Sequence, residues 1–405
     1  MPIIPFQYAS ETLCTIGLVF NATILRFKSV SNDLNLNGVA FGCFLFSAFV
    51  CATPPAKALT TEAGLARVLK GDLSWVTSAP LKFPIIPEDG AIHLAYKNPA
   101  VVKAKSGWHI FASRKCYVAG KVRHSMAYLN LSDWNHPEQA KVVPLFTDEA
   151  YTSAPAVFYY TPHQKWYLFY GRKDPAINAE GPAFSTMDDI DRPETITPPV
   201  MCFPSVPESL PKKKGVRWLD FTLIGDGKRM YLFFTDDSGH FMRSSTSLDK
   251  FPLGWEPPVV VMKQPTSVIF EASCTFRLKN SPLYLTIIEA IEPKTGLRFF
   301  TSFVADSLEG EWRLINGDAS RPFAGFNNVR SADGTQPWSP HISHGEMLCA
   351  IQDESMILDP EDMTFLYQGW NGKNRVPGVP LGNFNGYHEI PWELALIKLD
   401  ASNPK

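Results

Sequence analysis

From about Phe83 onward, short runs of apolar or alternating residues recur, each closed by Gly, Pro, Asp or Asn. Trp108–Ser113 (WHIFAS), Ala156–Tyr160, Lys165–Tyr170 (KWYLFY), Arg229–Phe234 (RMYLFF), Tyr284–Glu289 and Met363–Tyr367 are of strand length. Their aromatic and β-branched content suits a pleated, half-buried surface. No run keeps a 3.6-residue period over three turns, and no segment is low in complexity. The expected fold class is therefore all-β, as a sandwich or a propeller. WHIFAS, KWYLFY and RMYLFF look like equivalent second strands of successive blades, which favours the propeller. The self-similarity is too weak to count the blades.

The first sixty residues follow a different pattern. Gly38–Ala52 (GVAFGCFLFSAFVCA) is an almost unbroken apolar run, followed by Thr53, Pro54, Pro55 and Ala56. It is short for a bilayer span and reads as the core of a signal peptide, with cleavage between Ala52 and Ala58. A second apolar stretch, Leu13–Phe27, precedes it, broken by Asn21 and Arg26. Either the start is over-extended or the leader is membrane-tethered; short signal n-regions favour the first. The expected division is a leader over 1–58 and a single domain over 59–405.

Composition narrows the partners. Charged residues are 19% and aromatics 13% of the chain, with 34 prolines and 26 glycines, which fits short strands joined by punctuated turns. A formal charge of -2 gives no field to gather a polyanion, so nucleic acid and acidic membranes are excluded as expected partners of the mature chain. Beyond the leader stand Cys116, Cys202, Cys274 and Cys349, an even number that permits disulfides without demanding them. None has zinc-ligand spacing. Asn130-Leu-Ser132 is a glycosylation sequon, meaningful only in an exported chain. Pro204–Gly215 reads as a basic, Pro-rich surface loop.

Candidate chemistry rests on carboxylates set within apolar strands, since Asp and Glu are seldom buried without a partner. Asp220, Glu271 and Glu289 qualify. On the inner strands of a propeller they would face the channel, where paired carboxylates can act on a glycosidic bond. Taken singly, each could equally be a strand carboxylate paired with an Arg.

Five further stretches occur in order: Phe270-Glu-Ala-Ser-Cys274, Tyr284-Leu-Thr-Ile-Ile-Glu-Ala290, Pro322-Phe-Ala-Gly325, Ile342-Ser-His-Gly-Glu346 and Phe365-Leu-Tyr-Gln-Gly369. With Asp220-Phe221, Met230–Phe234 and Arg243, they resemble glycoside hydrolase family 62 from about Trp75 to Leu399. The resemblance implies a secreted, monomeric, five-bladed β-propeller that removes arabinofuranosyl side chains from arabinoxylan or arabino-oligosaccharides with inversion. It places Glu271 as general acid, protonated in a desolvated pocket, and Asp220 as the carboxylate that orients the site. Glu289 inherits no role and reads as structural. Lys97 and Tyr387 would contact the sugar.

Departures from the family pattern cluster at the same pocket. Where the family has Leu-Lys-Asp-Pro, this chain reads Ala95-Tyr-Lys-Asn-Pro99, so Asn98 stands at the general-base position. An amide cannot take a proton from water at neutral pH. Gly171-Arg172-Lys173-Asp174 replaces the family's Gln-Trp-Gly, so Arg172 would bind the sugar by hydrogen bonds and Asp174 offers a displaced base. His344 would be the protein ligand of one calcium ion, although calcium prefers oxygen and His341 replaces a nearby family Asp. Three functions follow: an arabinofuranosidase weakened at Asn98, a non-catalytic carbohydrate-binding protein on the same scaffold, or, more remotely, a different glycosidase using Asp174 or Asp220 as base on another furanoside.

Overall fold

The expected strands pair with their neighbours in sequence, and each group of consecutive strands closes into its own sheet. The computed structural model describes residues 63–400 apart from 147, 149, 175–178, 211–217 and 383–385. The leader, its cleavage region and part of the Pro204–Gly215 loop lie outside the described residues. After the short β1 (Trp75–Thr77), the first sheet holds β2 (Ala91–Ala104), β3 (Gly107–Val118), β4 (Lys121–Leu131) and β5 (Lys141–Leu145). The second holds β6 (Thr152–Tyr160), β7 (Lys165–Asp174), β8 (Ala179–Met187) and β9 (Val200–Met201). The third holds β10 (Leu219–Gly225), β11 (Arg229–Thr235), β12 (His240–Ser247) and β13 (Val259–Lys263). The fourth holds β14 (Glu271–Leu278), β15 (Tyr284–Ile291), β16 (Arg298–Ala305) and β17 (Arg313–Asn316).

The last sheet is assembled from both ends of the domain. β18 (Val329–Ser331), β19 (Ser343–Met347), β21 (Thr364–Gly369) and β22 (Glu393–Leu399) are joined by β1, which pairs antiparallel with β22 and parallel with β18. β20 (Ile357–Leu358) adds in parallel to β14 in the fourth sheet. The inner strands β2, β6, β10, β14 and β19 contact one another in cyclic order and close the ring. The fold is thus a five-bladed β-propeller, and WHIFAS, KWYLFY and RMYLFF lie on β3, β7 and β11, the second strands of the first three blades. Second strands are covered on both faces by neighbouring blades, which is why their sequences are runs of large apolar residues. Phe158, Tyr167, Phe169, Phe251 and Trp255 stack into one aromatic wedge in the interior. Among the described residues no helix is long and apolar enough to cross a membrane, and Cys116, Cys202, Cys274 and Cys349 are buried and free.

One irregularity recurs in every blade and positions the site. Pairing slips between Lys97 and Ala100, Ser153 and Ala156, Leu219 and Thr222, Glu271 and Ser273, and Ser343 and Gly345. These are β-bulges, which bend a strand and re-aim its side chains. Four carry a left-handed residue at the bulge: Asn98 (φ 50), Ala154 (φ 53), Asp220 (φ 59) and Ala272 (φ 50). Asn and Asp tolerate this region better than most residues. Because a bulge leaves an amide out of the ladder, Pro99 and Pro155 can follow directly.

Below the bulges the channel is lined by Pro99, Ala154, Asp220, Cys274, His344 and Glu346. Glu346 accepts the Val101 N–H at 2.8 Å, and burial pushes its carboxyl up from 4.5 to about 8. The folded chain therefore keeps this proton across a window in which the unfolded chain has lost it. Its contribution to stability is full below about pH 4.5 and falls as pH rises to about 8, by at most about 1.4 kcal/mol per pH unit. Glu346→Gln should flatten that fall. Urea denaturation at pH 5 and pH 8 checks it, and equal losses in both proteins would rule out Glu346 as the source.

Candidate active site

At the bulges, backbone geometry brings side chains of different blades together. Asp220, at the bulge of β10, accepts the Ala272 N–H of the next blade through Oδ2 at 2.9 Å. Burial and the neighbouring Glu271 push its carboxyl up to about 7, against that hydrogen bond. Glu271 opens β14 with its side chain 21% exposed. Glu289 faces it in register from β15. The inner-strand placement expected for Glu289 is thus corrected: it lies on a second strand and reaches the channel only across the pair. It is fully buried and accepts from Ser343 Oγ (2.9 Å), the His344 N–H (2.8 Å) and Arg298 Nη1 (3.0 Å).

Arg298, the first residue of β16, ties this cluster together. Its Nη1 donates to Glu271 Oε1 at 2.9 Å and to Glu289 Oε1, while Nη2 lies 3.4 Å from Tyr387 Oη. Loss of water opposes its charge, but Glu271 and Glu289 outweigh that and hold the guanidinium protonated. The Glu289 carboxyl is pushed up to about 7, burial and Glu271 winning over Arg298. Sequence reasoning missed Arg298. The same test that found the carboxylates, a charge set in an apolar strand, applies to Arg298-Phe-Phe-Thr-Ser-Phe-Val304.

Asn98 joins the cluster from the first blade. Its N–H donates to Gln368 Oε1 at 2.8 Å, and its Nδ2 lies 3.0 Å from His344 Nδ1. Gln368 Nε2 donates to Ser343 Oγ at 3.0 Å, and Ser343 donates to Glu289. A continuous polar chain therefore runs from Asn98 through Gln368, Ser343, Glu289 and Arg298 to Glu271. Among the described residues, Asn98 Oδ1 is buried with no partner. Loss of water, with Lys97 and Arg298 nearby, pushes His344 down to about 3, so its ring is neutral and Nδ1 accepts from Asn98. Asp220 Oδ2 lies 3.7 Å from the same nitrogen.

That arrangement bears on calcium. The His344 Nδ1 lone pair is committed to the Asn98 amide, and among the described residues no three His, Cys, Asp or Glu side chains converge as metal ligands. Calcium takes six to eight oxygens. A calcium ion here would have to take His344 through Nε2 and draw most of its oxygens from water.

Lys97 enters from β2, partly exposed, its amine pushed down by lost hydration that outweighs Glu271, Asp220 and Glu289. Tyr387 opens the 3-10 turn Tyr387–Glu389, and burial pushes its hydroxyl up. Arg172 stands apart on β7: among the described residues it pairs with Asp148 and donates to Thr152 Oγ1 at 3.1 Å, with no bond to the cluster. Asp174 ends that strand, and its side chain lies outside the described residues. His341 stacks on Trp370, ring centroids 5.6 Å apart, and burial pushes it down to about 4.

Asp220, Glu271, Asn98, His344 and Lys97 thus lie at the bulges of the inner strands, and Tyr387 reaches Arg298 from a 3-10 turn. Residues 86–396 match the model of glycosyl hydrolase family 62. The chain belongs to this family. Alpha-L-arabinofuranosidase C of Cellvibrio japonicus is 32% identical over 336 residues, which are 82% of this chain and 48% of that protein. The chain thus spans about half the length of that relative. Among solved structures, the catalytic domain of the Coprinopsis cinerea family 62 α-L-arabinofuranosidase is 31% identical with a TM-score of 0.70, covering 82% of this chain and 98% of its own. The Podospora anserina α-L-arabinofuranosidase in complex with cellotriose is also 31% identical, with a TM-score of 0.71 and coverages of 83% and 99%.

The bulge of β2 delivers the Asn98 amide, which engages His344 Nδ1. The polar chain from Gln368 to Arg298 ends on Glu271 Oε1.

Proposed function

We propose that the chain is an α-L-arabinofuranosidase-type glycoside hydrolase that takes arabinofuranosyl side chains from arabinoxylan by inversion, slowed by the amide at Asn98. The observation that carries this reading is the convergence of Glu271, Asp220 and Arg298 at the channel bulges in a family 62 propeller. Inversion needs one carboxylic acid to protonate the leaving oxygen and an ionised carboxylate to activate water on the opposite face. Glu271 is assigned the acid against its ion pair with Arg298 at Oε1: only Oε2, with no protein partner among the described residues, is left to carry the proton to the leaving oxygen. Asp220 holds the bulge that aims Glu271, through the Ala272 N–H. Asn98 Oδ1, an open acceptor, can orient a water but not deprotonate it, a loss of roughly 10²–10⁴-fold. Lys97 and Tyr387 donate to sugar hydroxyls.

The same observation at Asn98 favours a second reading, a carbohydrate-binding protein that no longer hydrolyses. Arabinose release from arabinoxylan by the purified chain separates the two. Glu271→Gln is expected to leave binding of an arabinofuranosyl xylo-oligosaccharide within a few-fold and to abolish residual hydrolysis. A fall in the thermal midpoint of many degrees would instead mark Glu271 as a structural carboxylate.

Export goes with this reading, because a polysaccharide substrate lies outside the cell. Protein recovered from culture medium should begin between about Thr53 and Thr61 by mass spectrometry. A secreted form that retains Met1 would overturn the leader assignment.

A further inference from the structure

The loop that follows β21 helps to enclose a cavity that the chemistry above does not use. Its volume is about 550 Å³, within the span of ligand pockets, roughly 300–1,000 Å³. Phe83, Leu94, Tyr96, Val376, Trp392 and Leu394 supply apolar wall, while Lys82, Arg375 and Glu393 supply charge. It is open to solvent at Lys82, whose side chain is 71% exposed, and at Ile85, 58% exposed. Two of its walls adjoin the sugar pocket. Tyr96 directly precedes Lys97, and its hydroxyl is fixed by donating to Pro84 O at 2.9 Å and accepting the Ile86 N–H at 3.2 Å. Trp392 packs with Ala95 and Ile390, against which Tyr387 also lies.

Charge narrows what fits there. Glu393, the carboxylate of the lining, pairs with Lys82. His93, pushed down to about 4 by burial and by Arg114, stays neutral and adds nothing. Arg375 is then the surplus cation, since among the described residues no carboxylate pairs with it. Its guanidinium is instead stacked over Trp370, 4.6 Å from the ring centroid, and Trp370 Nε1 in turn holds the loop by donating to Asn374 O at 3.1 Å. A stacked guanidinium without an acidic partner keeps its planar fork of donors for a carboxylate from outside. Apolar walls with a few charged groups suit a ring whose one charged substituent fixes its orientation. A polysaccharide seated in the neighbouring pocket brings its own sugars to this cavity, and a sugar that carries a carboxylate is a uronic acid.

We propose that this cavity is a subsite for a uronic acid substituent of the polysaccharide, its carboxylate taken by Arg375 and its ring by the apolar wall. The subsite rests on the carbohydrate-binding reading and extends it to acidic xylans.

The test is calorimetric binding to the full chain, at low salt, of three sugars: a xylotriose bearing glucuronic acid, the same sugar with its carboxyl reduced to the alcohol, and arabinofuranosyl xylotriose. The natural protein should bind the acid about tenfold more tightly than its reduced form, the lower end for a hydrogen bond between charged groups. The lower end applies because Arg375 is exposed, and for the same reason the preference should shrink as salt is raised. In Arg375→Gln the acid and its reduced form should bind alike, with arabinofuranosyl xylotriose unaffected. Glu393→Gln removes the competing carboxylate and frees Lys82, so it should widen the preference. Equal binding of acid and reduced sugar by a natural protein that binds arabinofuranosyl xylotriose overturns the subsite alone. So does a preference that survives Arg375→Gln or does not widen in Glu393→Gln. The expected preference in a chain that does not bind arabinofuranosyl xylotriose overturns the arabinofuranosyl reading and leaves the subsite. No binding of any of the three sugars overturns both.

Discussion

Asn98→Asp is expected to raise arabinose release from arabinoxylan by roughly 10²-fold or more over the natural chain, the lower range for restoring a positioned general base. The exchange replaces one nitrogen by oxygen at a place built to hold it. The left-handed bulge at φ 50 accepts Asp as it accepts Asn, and the backbone N–H keeps its bond to Gln368. The side-chain atom that now faces His344 Nδ1 at 3.0 Å would become an acceptor, so the neutral ring must move its proton to Nδ1 and donate. That is a change of tautomer, not of charge. Asp220, whose Oδ2 lies 3.7 Å from the same nitrogen, adds like charge nearby and draws the new carboxyl's proton affinity upward, towards the strength a base needs near neutral pH. Initial rates on arabinoxylan at saturation, for both proteins, are the measurement. No gain would mean that an absent base at position 98 is not what limits hydrolysis. A natural chain already turning over at roughly 1–10³ per second would refute the lost-base argument and direct attention to Asp174. If both proteins bind arabinoxylan and neither hydrolyses it, the binding reading holds.

Parts of this architecture are legible in the sequence for physical reasons, and others are not. KWYLFY and RMYLFF stand out because a second strand is covered on both faces and every position must be apolar. Inner strands face a polar channel and are broken by a bulge, so their pattern is diluted. One trace of the repeat does survive: Asn98-Pro99-Ala100-Val101 and Ala154-Pro155-Ala156-Val157 place proline after the bulge in both of the first two blades. The other blades fill the same position with Asp220, Ala272 and the Ser343–Gly345 slip, which share a backbone geometry and no residue type. Counting blades was therefore beyond periodicity. At the site, the burial argument found Asp220, Glu271 and Glu289, since an apolar strand rarely carries a carboxylate without cause. It could not see that Glu289 sits a strand further out, because register across a hairpin bulge leaves no mark in the sequence. Arg298 stands out less, for a physical reason: a long cationic side chain can bury its stem and keep its head hydrated, so a cation in an apolar strand is a weaker signal than a carboxylate. The four cysteines, left open by their spacing, prove to be separate buried thiols.

Arg298→Met should impose the largest stability loss of any single change at the site, roughly 3–5 kcal/mol at pH 8, the range for removing one partner of a buried ion pair. The guanidinium stands between Glu271 and Glu289 with its side chain 8% exposed, and Glu289 beside it is fully buried. Without the cation, Glu271 can turn its 21% exposed carboxylate towards water. Glu289 cannot, and keeps only the Ser343 hydroxyl and the His344 N–H as donors. Its way out is to take up a proton. The folded-state pKa, already raised from 4.5 to about 7 with Arg298 present, must then rise further, so the variant binds more protons folded than unfolded across neutral pH. The sign follows from linkage: the deficit is greatest at high pH and shrinks as pH falls towards the unfolded value. Urea denaturation of the natural protein and of Arg298→Met at pH 5 and pH 8 should therefore diverge more at pH 8. Glu289→Gln in the Arg298→Met background supplies the neutral partner in advance, and should recover much of the pH 8 loss while leaving pH 5 nearly unchanged. A loss independent of pH, or one that Glu289→Gln does not relieve, would show that Arg298 acts through its packing against Phe270, 4.4 Å from the ring centroid, rather than through charge.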